Sequence, residues 1–145
     1  NASVLKSRLH VPALIAPSRI LGKPFTVTEF DFCYPNSYRA EGVPLFTAYA
    51  ALQDWDGLYH FAYSHSPDNL FTARGIEVFD SVNDPVRVLS ERIGIAFFRR
   101  RDVKHATAVF PIAVSAAAYR NYLPVYPVAA DELMFFGQTG SVLRE

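Results

Sequence analysis

The chain has 145 residues, with 14 Lys+Arg against 14 Asp+Glu and no net charge. That balance argues against a surface that binds nucleic acid or anionic membrane through a net positive field, and a hydrophobic fraction of 50% argues against disorder. No apolar run approaches the ~20 residues that span a bilayer; the single cysteine, Cys33, excludes an internal disulfide and a multi-cysteine metal site and leaves the redox compartment open.

The start, Asn1 to Leu5, lacks the charged region and apolar stretch of a secretory signal, and Asn1-Ala2-Ser3 fits the glycosylation pattern only weakly. Residues 1–24 read as a short helix or loop, because Pro12 and Pro17 interrupt the apolar set Leu9, Val11, Leu14 and Ile15. Gly22-Lys23-Pro24 is a turn into the first strand, Phe25 to Phe32. Strict alternation places Phe25, Val27, Glu29 and Asp31 on one face of that strand, and Thr26, Thr28, Phe30 and Phe32 on the other. Glu29 and Asp31 are then about 6.6–6.8 Å apart along it.

A polar loop, Pro35 to Arg39, precedes a helix that opens at Pro44. Leu45, Ala48, Tyr49 and Leu52 follow at helical spacing, and Gly57 stands where a helix ends. Leu58 to His65 reads as a second strand with Tyr59, Phe61, Tyr63 and His65 on one side. The 25 residues from 33 to 57 are too long for a hairpin and suit a parallel crossover.

Residues 66–83 form a loop with extended character at Gly75 to Phe79. Asp84 is the predicted N-cap and Pro85 the first residue of a helix running to Arg100, with the apolar stripe Val86, Leu89, Ile93, Ala96 and Phe97. Arg99, Arg100 and Arg101 suit a helix C-terminus. From Thr107 the texture becomes β-like, with Pro111, Pro124, Pro127 and a predicted turn at Gly137 to Gly140. Strand, helix, strand, helix gives an α/β fold class with parallel strands. Two such strands alone leave faces and edges uncovered, so further structure is expected to complete them.

Three stretches, PFTVTEFDFCYPNSYRAE, FTAYAALQDWDGLYHFAY and DPVRVLSERIGIAFFRRRDV, resemble the C-terminal quarter of the catalytic barrel of retaining glycoside hydrolases. The likeness is to the β-galactosidase-like and cellulase-like enzymes of the large clan with eight-stranded barrels, and it covers about residues 20 to 105. It implies a partial TIM-type (β/α)8 barrel, its last two strand-helix units lying in 1–105, with 106–145 as the start of a β-rich accessory domain. It implies Glu29 as the catalytic nucleophile and Trp55-Asp56-Gly57 as the turn before the final barrel strand, with Phe61 and Tyr63 on the sugar-facing wall. The acid/base of that clan lies near the end of its fourth strand, usually in an Asn-Glu pair, which this chain lacks; it is expected from the remainder of the barrel, in the same protein or a second chain.

The chemistry fits those assignments. A retaining glycosidase sets two carboxyl groups about 5–5.5 Å apart, one to attack the anomeric carbon and one to protonate the leaving oxygen. Asp31 is expected to orient substrate or anchor its loop rather than act as the acid. Asn36, Tyr38 and His65 are further candidate contacts to a carbohydrate substrate, although Asn36 also suits a cap and His65 a loop carbonyl. Trp55 reads as core more readily than as a sugar platform. His60 and His65, five apart on a strand, face opposite sides, and His10 and His105 are remote, so no metal and no cofactor are expected. Two other functions stand beside hydrolysis: a non-catalytic carbohydrate-binding or assembly module, and a small α/β domain that associates through its sheet edges.

Overall fold

The computed structural model describes residues 2–6, 11–121, 130 and 132–144; Asn1, Leu9, His10, Pro124 and Pro127 lie outside them. In chain order the elements are α1 (Val11–Ile15), β1 (Thr26–Phe30), α2 (Gly42–Leu52), β2 (Gly57–His60), α3 (Asp68–Phe71), α4 (Pro85–Gly94), β3 (Val109–Ser115), α5 (Ala116–Arg120) and β4 (Gln138–Arg144). A wide helical turn, Ile95–Arg99, continues α4. The strands form two small sheets, β1 with β2 and β3 with β4, and both pairs are parallel. The chain is therefore mixed α/β, as the order of its elements predicts.

The first sheet begins at Trp55-Asp56-Gly57. The Asp56 carboxylate accepts from the Phe25 N–H at 2.8 Å, and the Asp56 N–H donates to the Phe25 carbonyl at 2.9 Å. Trp55 is fully buried, edge-on to Phe25 and Phe46. It joins Ala13, Ala16, Phe46, Ala50 and Met134 in the core, confirming a packing role. Gly57 does not end the helix: α2 stops at Leu52, Asp54 takes the left-handed conformation at φ 54°, and Gly57 opens β2 opposite Thr26.

Strict alternation along β1 fails at one point. Thr26 pairs with Gly57 and Val27 with Leu58, but Phe30 pairs with His60, so Thr28 and Glu29 together oppose Tyr59. Such a bulge inserts one residue and reverses the side-chain phase beyond it. Phe25 and Val27 pack on the core before the bulge, and Phe30 and Phe32 pack on it afterwards. Glu29 consequently leaves the face that alternation would give it in company with Phe25 and Val27. The second strand is also shorter than predicted, ending at His60 instead of His65.

Both helices depart from their simple stripes. α2 buries Val43, Leu45, Phe46, Thr47, Ala50 and Ala51, most of its circumference, because it packs against α4 and α1 and stacks Phe46 on Phe30 of β1. α4 opens as predicted, with the Asp84 carboxylate accepting from the Val86 N–H at 3.0 Å and Pro85 following. Its buried face, however, is Arg87, Ser90 and Gly94, while Leu89 and Ile93 of the predicted apolar stripe are exposed. A Cβ on Gly94 would stand 2.8 Å from Val43 Cγ1, so this close helix approach requires glycine.

The predicted turn at Gly137 to Gly140 is instead the entry into β4. Ser141 of that strand pairs with Ile112 and bridges to Ile20, and its N–H donates to the Arg19 carbonyl at 2.6 Å. A Cβ on Gly140 would lie 2.9 Å from that Arg19 oxygen, which explains the glycine by close approach. The buried Gln53 side chain ties the end of α2 to this sheet: it donates to the Met134 and Gly137 carbonyls and accepts from the Thr139 N–H.

Candidate active site

In a parallel pair, the loops that leave the two strands emerge at one edge, where α/β proteins commonly bind ligands. Here those segments are 31–38 after β1 and 61–67 after β2. They carry every candidate from the sequence except Glu29, which sits one residue before the end of β1.

Glu29 is exposed, and among the described residues no hydrogen bond or ion pair engages its carboxylate. Arg39 is taken by Asp84 through Nε at 2.5 Å and Nη2 at 3.1 Å. The same Asp84 caps α4, so one carboxylate fixes both the loop after β1 and the helix after β2. Arg39 holds the Asp84 carboxyl below its ordinary value against the opposing effect of burial.

Asp31 turns toward α4. Its Oδ1 accepts from Arg87 Nη2 at 2.7 Å and approaches His60 Nε2 at 3.0 Å. The other imidazole nitrogen, His60 Nδ1, contacts Glu91 of α4. Arg87, itself buried, also donates to the carbonyls of Val78 at 3.3 Å and Phe79 at 3.1 Å. Burial lowers the His60 pKa, but the two carboxylates outweigh it and the net shift is upward. Asp31 is thus part of a carboxylate–imidazole–carboxylate chain locked by a guanidinium. The chain draws Asp31 to α4, whereas among the described residues nothing engages the Glu29 carboxylate.

Asn36 makes a loop turn, its Oδ1 accepting from the Tyr38 N–H at 2.9 Å, and Tyr38 is exposed. Phe61 is half-buried, edge-on to His65 at 5.0 Å and to Phe79 at 5.8 Å between ring centres. Tyr63 is exposed. His65 contacts the buried Asp80 through Nδ1. Its 61–67 segment is held to the chain that follows α3: the Ala62 N–H donates to Phe79, and the Ser81 and Val82 N–H groups donate to Ala62 and Tyr63. His60, Arg87, Glu91 and Asp80 escape a reading of the sequence as site residues. Each lies within an otherwise ordinary helix, loop or strand end, and only the fold brings them together.

Hollows flank His60 and His65. One of about 410 Å³ runs along β2 from Asp56 to His60 beneath Glu91, Ile95 and Phe98. A second of about 320 Å³ touches His60, Tyr63 and Glu91, and a third of about 500 Å³ lies between Tyr34, His65, Glu77 and Phe79. Among the described residues, no group of three or more His, Cys, Asp or Glu side chains could hold a metal ion. No known family, characterised protein or solved structure matches the chain.

Proposed function

We propose that this chain is part of a glycoside hydrolase that cleaves β-linked oligo- or polysaccharide with retention of configuration, Glu29 being the nucleophile. One observation carries the reading: Glu29 is an exposed carboxylate at the C-terminal end of a parallel strand, and Arg39 and Arg87 are engaged by Asp84 and Asp31. The parallel βα units around it, β1–α2 and β2–α4, suit the last two units of a (β/α)8 barrel. Tyr59, Tyr63 and Phe61 supply rings of the kind that stack on the apolar faces of sugars.

In the proposed first step a Glu29 carboxylate oxygen bonds to the anomeric carbon as the bond to the leaving oxygen breaks. The leaving group takes the electron pair and a proton from an acid in the remainder of the barrel. Water then attacks the anomeric carbon of the glycosyl ester, giving its proton to the conjugate base of that acid, and the Glu29 carboxylate leaves with the electron pair of the broken C–O bond.

The test uses the intact protein that carries this chain, treated with a panel of 2,4-dinitrophenyl 2-deoxy-2-fluoro-β-glycosides. Dinitrophenolate departs without protonation, so trapping does not depend on the acid. The expected result is a fluoroglycosyl mass increment on the peptide containing Glu29, absent in Glu29→Gln. No increment on that peptide with any sugar defeats the hydrolase reading. One observation favours the second reading, a carbohydrate-binding module without turnover: this chain carries no Asn-Glu pair of the kind that supplies the acid/base. Glycan binding that survives Glu29→Gln, in a wild type that never labels, would establish it.

A further inference from the structure

His65 differs from an ordinary loop histidine in what lies behind it. Asp80 is 2% exposed at its side chain, whereas the His65 ring is 49% exposed. The Asp80 carboxylate receives His65 Nδ1, the His65 backbone N–H at 3.1 and 3.2 Å, and Asn69 Nδ2 at 2.8 Å. Asn69, on α3, is itself buried. Because burial penalises the charged carboxylate, these donors are what keep the Asp80 carboxyl below its ordinary value. Phe61 packs edge-on to the ring.

A carboxylate can only accept, so Nδ1 must carry a hydrogen; in the neutral ring Nε2 is then left with a free lone pair. The ring borders the hollow of about 500 Å³, whose other walls include Tyr34, Glu77, Val78 and Phe79. Tyr34 leaves β1 and His65 leaves β2 at the same end of the sheet, the end that Glu29 occupies. Two rings, a carboxylate and an imidazole acceptor around one hollow match a ligand with apolar faces and hydroxyl donors.

We propose that Asp80 and Asn69 are positioning residues that fix His65 as its Nδ1–H tautomer, so that Nε2 accepts a hydrogen bond from one hydroxyl of the carbohydrate and sets the specificity for it. This rests on the hydrolase reading and names a contact within that site. Sequence analysis offers His65 as a substrate contact; the supporting pair and the direction of the hydrogen bond come from the fold.

The intact protein is examined in two ways. Long-range 1H–15N spectra of the neutral imidazole are expected to show the Nδ1–H form for His65 and a mixture of tautomers in Asp80→Asn. In kinetics with the 2,4-dinitrophenyl β-glycoside whose 2-fluoro counterpart labels best, one monodeoxy analogue is expected to lose about tenfold in kcat/KM on wild type, the loss of one neutral hydrogen bond. His65→Phe, and His65→Asn as a smaller second variant, should lose a similar factor on the parent sugar and discriminate no further against that analogue. An Nε2–H tautomer in the wild type overturns the inference. Discrimination unchanged in the His65 variants, with Glu29 still trapped by the fluoroglycoside, overturns it and leaves the hydrolase reading standing. Failure of the wild type to label Glu29 overturns both.

Discussion

At His60 one imidazole faces a carboxylate through each ring nitrogen, Asp31 through Nε2 and Glu91 through Nδ1. Both contacts are best made by the protonated ring, and they raise its pKa despite partial burial. The sign of the linkage follows. A group whose folded pKa exceeds its unfolded value of about 6.5 contributes its stability in full below that value and loses it as pH rises through the folded pKa. Asp80 and Asp84 act oppositely, because their folded values are depressed. Their contribution is present above the unfolded value of about 3.9 and is lost as pH falls through the folded values. Urea unfolding should therefore give greatest stability in a window between these limits, with a decline on the alkaline side. His60→Gln is expected to flatten that alkaline decline and leave the acid limb in place; an unchanged alkaline limb would show that the ring carries no such coupling.

Among the elements, α4 shows what a sequence can and cannot declare. Its start was readable because Asp84 and Pro85 act locally, one as cap acceptor and one through its fixed φ. Which face turns inward was not readable, because it depends on how near α2 comes. Ser90 satisfies its hydroxyl on the Val86 carbonyl at 2.8 Å, and Gly94 lets Val43 and Thr47 approach, so small and polar side chains occupy the inner face. Gly94→Val should force the two helices apart and cost about 1–3 kcal/mol in chemical denaturation; a neutral result would mean that the contact relaxes freely. The bulge at Thr28 and Glu29 was hidden for a different reason. One extra residue in a strand leaves no compositional mark, yet it decides that Glu29 lies outside the packed face. The parallel pairing of β1 and β2 was accessible from connection length alone, and Trp55 as core from its place at a helix end. The partners of His60 and His65 were not, since Glu91 and Asp80 lie 31 and 15 residues away along the chain.

Taken whole, the described residues present two sheets of two strands each and an apolar stripe on the outer side of α4, where Leu89 is 62% exposed and Ile93 44%. Unpaired parallel strands and contiguous exposed apolar side chains favour association. The isolated 145-residue chain is expected to show concentration-dependent self-association by sedimentation velocity, weakened by the double substitution Leu89→Lys with Ile93→Lys. Sedimentation as a monomer at all concentrations would count against that expectation. The bridge between Ile20 and Ser141 has a consequence in time. A ribosome releases Arg19 to Leu21 well before Ser141, so the two strand-helix units between them can dock while that earlier segment still waits for its neighbour. The second sheet closes only once β4 has followed β3 out, and a synthesis stalled between the two leaves Ile20 without its bridge.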